Sequence, residues 1–121
     1  MGPIDAELMS KMSYIGPLAY AVQLQFMTPM ATKMYMGDEN PSANTIEWAK
    51  WASIMLSVNA LNIFFALKNG LSIADNNKVQ VMTWAVFFSY QLFRYSQGMF
   101  IDKPSMALSA TMAALFWYTA Q

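Results

Sequence analysis

Residues 48–68, WAKWASIMLSVNALNIFFALK, decide the fold. No charged side chain lies between Lys50 and Lys68. Counted from Ile46, the stretch makes a helix of about 22 residues, roughly 33 Å long, which matches the hydrocarbon core of a bilayer. Trp48 and Trp51 stand at one end and Lys68 at the other, as interfacial anchors do. Asn59 and Asn62 lie three residues apart inside it, and that spacing sets both amides on one helical face. A polar stripe on an apolar span must meet something: another helix, a cofactor or a substrate.

Before this stretch, Met12 to Thr32 is also free of charge, but Pro17 and Pro29 interrupt it. Pro17 falls near the start of the run, where a first-turn proline is tolerated. Pro29 lacks an N–H and restricts Thr28, so it ends or kinks the helix. The expected helix covers Tyr14 to Met27, a short span carrying Gln23 and Gln25. Met30 to Asn44 is polar and turn-rich, and reads as the longest connection. Thr45 or Asn44 would cap the next helix, with Glu47 complementing its dipole.

Beyond the central stretch, Lys68-Asn69-Gly70 is a stop signal of base then glycine. Leu71 to Lys78 reads as a short loop turning at Asp75-Asn76-Asn77. A third helix is expected from Lys78 to Tyr95. Its uncharged centre of about 15 residues can span if Lys78 and Arg94 snorkel to the two interfaces. Gly98 closes it, and Pro104 opens a fourth helix. There Ser105, Ser109 and Ala113 recur every fourth residue, as do Ala110 and Ala114, which lets a neighbouring backbone approach closely. Tyr35, Trp48, Trp51, Trp84, Tyr95, Trp117 and Tyr118 fall near helix ends, in the pattern of an interfacial belt. The expectation is one all-α domain over residues 1–121. It is an integral membrane bundle of four transmembrane helices, or three if the first lies in the interface. A soluble four-helix bundle is the alternative, and evenly apolar helices with so few charges argue against it.

Charged residues make up 12% of the 121, where soluble domains carry about 25%. The seven basic and seven acidic residues cancel, so there is no basic footprint for nucleic acid. Without cysteine or histidine, disulfides, thiolate or imidazole metal sites, His-ligated haem and Ser-His catalysis are excluded. The start, MGPIDAELMSKM, does not read as a secretory signal, and Pro3 and Asp5 argue against myristoylation at Gly2. Either the protein inserts without a cleaved signal, or a transit peptide precedes this numbering. The basic residues split three against four between the two sides, so they set no orientation.

The residues that could hold a ligand are side-chain amides: Asn59 and Asn62 beside Ser57, then Gln23, Gln25, Gln91 and Gln97. Interhelical hydrogen bonding is the structural reading of all of them. The functional reading is oxygen ligation of a chlorophyll magnesium, since magnesium prefers oxygen donors. Met27, Met30, Met34 and Met36 cluster around Pro29; packing accounts for them better than Cu(I) binding. Glu47 and Lys50 read as a pair complementing a helix start. Arg94 reads as a snorkelling residue, or as a contact to a lipid phosphate or a partner's carboxylate. No paired carboxylates lie within a span, and neither a phosphate loop nor a nucleophile constellation is present.

The order of a first span, a polar loop with NPSANTIEW, a second span opening WAKWASIMLSVNALNIF, a short loop and two spans joined by FIDKP resembles the small four-helix DoxX-like membrane proteins. Those families often carry arginine and glycine early in the second span, where this chain has Lys50 and Ser53 or Ser57. That resemblance implies a free-standing protein with a redox or small-solute role and an enclosed pocket lined by Asn59, Asn62 and Gln91. In size and aromatic-rich texture the chain also resembles accessory subunits of algal photosystem I–antenna supercomplexes, of the photosystem I subunit R type. This second resemblance implies a non-catalytic subunit in the chloroplast thylakoid membrane, bridging larger integral membrane proteins and holding chlorophyll or carotenoid. The chain does not resemble the light-harvesting proteins themselves, which pair Glu and Arg as chlorophyll ligands in long spans. An accessory subunit of a respiratory complex in the mitochondrial inner membrane shares the same physics. The lack of catalytic residue types favours the subunit reading, with the photosynthetic version ahead.

Overall fold

A computed structural model describes residues 5–121, which are 83% helical with no strand among them. The helices are α1 (Ala6–Phe26), α2 (Thr28–Met36), α3 (Ala43–Lys68), α4 (Ile73–Ser96) and α5 (Lys103–Thr119). The chain is therefore all-α. Among the described residues, α3 is the helix long and apolar enough to cross a membrane on its own composition. The Gly2 and Pro3 of the myristoylation reading lie outside the described residues.

Side-chain caps fix four of the five starts. Asp5 accepts from the Leu8 N–H at 2.8 Å and Ser42 from Thr45 at 3.1 Å. Ser72 accepts from Asp75 at 3.0 Å and Asp102 from Ser105 at 3.1 Å. Each satisfies a backbone donor that the first turn leaves without a partner. These caps move several boundaries from where the sequence pattern sets them. The first helix begins at Ala6 rather than Tyr14, because Asp5 caps it, and Pro17 sits inside it rather than in its first turn. Pro29 does break the chain: α1 ends at Phe26, and the proline occupies the opening turn of α2. Much of the supposed loop Met30–Asn44 is therefore helix, closed at Gly37 in the left-handed conformation. Ser42, not Asn44 or Thr45, caps α3. Asp75, Asn76 and Asn77 are not a turn but the start of α4, which begins at Ile73.

α1 packs along α3, and α4 along α5; α1 joins the two pairs by touching α4 and α5, while α3 and α4 barely meet. Asn77 of α4 donates through Nδ2 to the Ala6 carbonyl at 3.2 Å and to Thr119 Oγ1 at 3.3 Å. The starts of α1 and α4 and the end of α5 therefore share one end of the bundle. All charged side chains fall at the two ends. Asp5, Glu7, Lys11, Lys68, Asp75 and Lys78 lie at this end, and the remainder at the other, from Lys33 through Lys103. The band between is uncharged.

Inside the bundle small and polar residues predominate. Ala21, Ser53, Ala60 and Ser109 are buried, as are Asn76 and Asn77 at the charged end, while Phe26 is 80% exposed, Trp48 74%, Met55 71% and Met82 69%. Small inner residues bring the helix backbones close, which is how helices pack when lipid removes the hydrophobic drive between them. Ser109 fills this role on α5, as its spacing with Ser105 and Ala113 suggests.

Candidate functional site

The six candidate amides separate into two kinds. Three accept a hydrogen bond within the chain, and a fourth, Gln91, is buried in it. Gln23 Oε1 accepts from the Tyr35 hydroxyl at 2.7 Å, closing the corner between α1 and α2. The Tyr20 ring lies against Tyr35, with centroids 4.7 Å apart. Gln25 Oε1 accepts from Ser53 Oγ at 2.7 Å, tying α1 to α3. Gln97 lies past the end of α4 and accepts from Arg94 at 3.1 Å. Gln91 is buried, and its Oε1 has no hydrogen-bond partner among the described residues.

Asn59 and Asn62 are the other kind. Both are exposed, on the face of α3 turned away from α1, and neither amide has a hydrogen bond among the described residues. The stripe therefore does not pack against a helix of its own chain. The inner face of α3 is instead made by Ser53, Ser57 and Ala60, small residues at i, i+4 and i+7. Asn59 and Asn62 thus do not share a cavity with buried Gln91. Two depressions mark the surface. One is an apolar groove along α4 lined by Met82, Thr83, Val86, Phe87 and Tyr90. Another lies where Lys78, Val81 and Met82 meet Trp117 and Gln121.

Among the six amides, Asn59 and Asn62 are the pair whose carbonyl oxygens are both exposed and unpartnered, so an axial magnesium ligand from these candidates would come from them. They can equally give and take hydrogen bonds, each amide having two donors and an acceptor.

The pattern reading missed a polar core at the end of the bundle where α1 and α4 start. Asn76 donates to Ser13 Oγ at 3.1 Å, and Asn77 reaches α1 and α5 as described. Asn76, Asn77, Gln80, Ser10, Ser13 and Thr119 are all buried there, and Asn77 Oδ1 has no partner among the described residues. One signal could have found the first two: Ser72-x-x-Asp75 has the spacing of a helix-start capping pattern, which puts Asn76 and Asn77 in a helix rather than a turn. Compared with protein-family models, curated proteins and solved structures, the chain matches none.

Proposed function

We propose that this chain is a non-catalytic accessory subunit of a large membrane complex. In this reading its four long helices cross the bilayer, and it packs between larger subunits of a photosystem I–antenna supercomplex in the thylakoid membrane. The observation that carries the reading is the outward pair Asn59 and Asn62 in the middle of an uncharged, apolar helix face. Amides facing hydrocarbon without partners are costly, so this face needs a neighbour in the membrane.

The rest of the surface supports the same reading. Val58, Phe65, Val86, Phe87, Tyr90 and Phe93 are each more than half exposed within the uncharged band. Lipid covers such faces, and so do other membrane subunits. The groove of Met82, Val86, Phe87 and Tyr90 offers an apolar bed for a carotenoid or a chlorophyll tail. Chlorophyll held at Asn59 or Asn62 would supply light absorption and energy transfer, and the chain would supply only position. The photosystem assignment itself rests on resemblance in size and texture. The non-catalytic assignment rests on a sequence without histidine, cysteine or paired mid-span carboxylates.

A free-standing DoxX-like protein is the second reading. It calls for Asn59, Asn62 and Gln91 around one enclosed pocket, whereas two of these are exposed on α3 and the third is buried on α4. Solubilisation from the native membrane in mild detergent, with sizing and an absorption spectrum, separates the two. Co-migration with chlorophyll in a large particle is expected. A small, colourless, isolated species would end the photosystem reading.

A further inference from the structure

Asn76 and Asn77 each spend their amide nitrogen on α1, and those two bonds fix which way the amides point. The Ala6 carbonyl can only accept, so Asn77 must turn Nδ2 towards it, at 3.2 Å. Ser13 Oγ gives its own hydrogen to the Ser10 carbonyl, so it can only accept from Asn76. Asn77 Oδ1 is thereby turned away from Ala6. Asn77 is fully buried, and this oxygen has no donor among the described residues. Thr119 does not supply one, because its hydroxyl hydrogen goes to the Leu115 carbonyl at 2.8 Å.

Ser10 stands beside that oxygen. The Ala6 carbonyl that holds Asn77 is the one to which the Ser10 N–H bonds, one turn on in α1, and a helical side chain leans back over the preceding turn. Ser10 is buried, and its hydroxyl makes no hydrogen bond among the described residues. One turn beyond Ser13, Pro17 lies inside α1 without an N–H, so the Ser13 carbonyl also lacks its helical donor. Acceptors therefore outnumber donors where α1 meets α4. We propose that this joint binds a buried water, which donates to Asn77 Oδ1, is hydrogen-bonded to Ser10 Oγ and so links α1 to α4. A water supplies two donors, and a buried carbonyl left without one is costly. The guest must be small, since the residues around it on α1 are Ala6, Ser10 and Ser13. Ser10 and Gln80 each keep 5% of their surface within reach of a solvent molecule, at the end of the bundle where the charged residues lie. A bare cation would need a buried carboxylate to offset its lost hydration, and Asp5, Glu7 and Asp75 at this end are all exposed. The inference concerns the interior of the chain and does not depend on the complex, the pigment or the outward amides of α3.

Two measurements on the full chain in detergent micelles test it. In the isotope-labelled protein, magnetisation transferred from water should reach the Asn77 side-chain N–H and the Ser10 backbone N–H, with the sign of a water that stays bound. It should not reach the backbone N–H of Ala21, which is buried further along α1. Ser10→Ala leaves every hydrogen bond named above in place; it should weaken the signal at Asn77 without abolishing it. In a Ser10→Ala, Asn77→Ala cycle, the two side chains should be coupled about threefold in the unfolding equilibrium, although no direct bond joins them. If Asn77→Ala fails to fold, the water signals of the unaltered chain and of Ser10→Ala decide alone. Absence of the signals at Asn77 and Ser10 would overturn the proposal. So would signals that vanish in Ser10→Ala, because the hydroxyl itself would then be relaying them, or a cycle with no coupling. Stability that changes when sodium replaces choline at equal ionic strength would give the site to a cation and overturn it too.

Discussion

Asn76 of α4 donates from Nδ2 to Ser13 Oγ of α1 at 3.1 Å, and both residues are buried. This bond fastens one helix pair to the other, whose adjoining helices α3 and α4 barely touch. Asn76→Ala should therefore destabilise the bundle by about 1–2 kcal/mol, by losing the bond and leaving Ser13 Oγ without that donor. In a Ser13→Ala, Asn76→Ala cycle the coupling should be about 0.6 kcal/mol, the usual size of a polar contact between membrane helices. Unfolding equilibria in mixed detergent micelles measure both values.

Gln25 and Ser53 hold the α1–α3 pair in the same way, at 2.7 Å. Ser53→Ala should cost about 1 kcal/mol, because a part-buried Gln25 Oε1 loses its donor. Asn59→Leu, six residues further along the same helix, should change monomer stability by no more than about 0.5 kcal/mol, since Asn59 is exposed and its amide has no hydrogen bond among the described residues. Equal losses at the two positions would mean that Asn59 faces inward.

Two glycines should respond very differently to alanine. Gly37 has φ of 69°, and a Cβ there would lie 2.9 Å from the Phe100 ring. Gly37→Ala should lower stability by about 1–2 kcal/mol, from both the left-handed backbone and the crowding. Gly16 lies within α1, and beyond its chain neighbours a Cβ there would meet nothing within 4 Å. Gly16→Ala should change stability by less, because a helix-propensity gain of about 0.5–1 kcal/mol is opposed by the crowding of a Cβ against the Pro17 ring that follows it. Thermal unfolding of the two variants side by side checks the difference.

Ser72 caps α4 through the Asp75 N–H at 3.0 Å. Ser72→Ala should cost about 1 kcal/mol, and Ser72→Asp should retain most of the stability. Hydrogen exchange should show the loss concentrated at the start of α4, where Asn76 and Asn77 are held.

Much of the architecture is legible in the sequence because charges and turn residues punctuate it. The uncharged band, the break at Pro29 and the closures at Gly70 and Gly98 all follow from residue types at known spacings. The start of α4 was hidden because Asp75-Asn76-Asn77 carries the chemistry of a turn, while its burial depends on Ser13, Ala6 and Thr119, all far away in sequence. For Asn59 and Asn62, spacing fixes that they share a face, not which way that face points. The small residues Ser53, Ser57 and Ala60 mark the inner side, but only by comparison with the larger residues exposed on the other faces of α3.

The central claim is that the uncharged band lies inside a bilayer with the two charged ends in water on opposite sides. Single cysteines at Asn40, Leu71 and Val86, placed one at a time in this cysteine-free chain, test it with a membrane-impermeant maleimide on sealed native vesicles. The account predicts that Asn40→Cys and Leu71→Cys label from opposite sides, and that Val86→Cys stays unlabelled until the membrane is dissolved. Labelling of the two end positions from the same side, or ready labelling of Val86→Cys in intact vesicles, would contradict it.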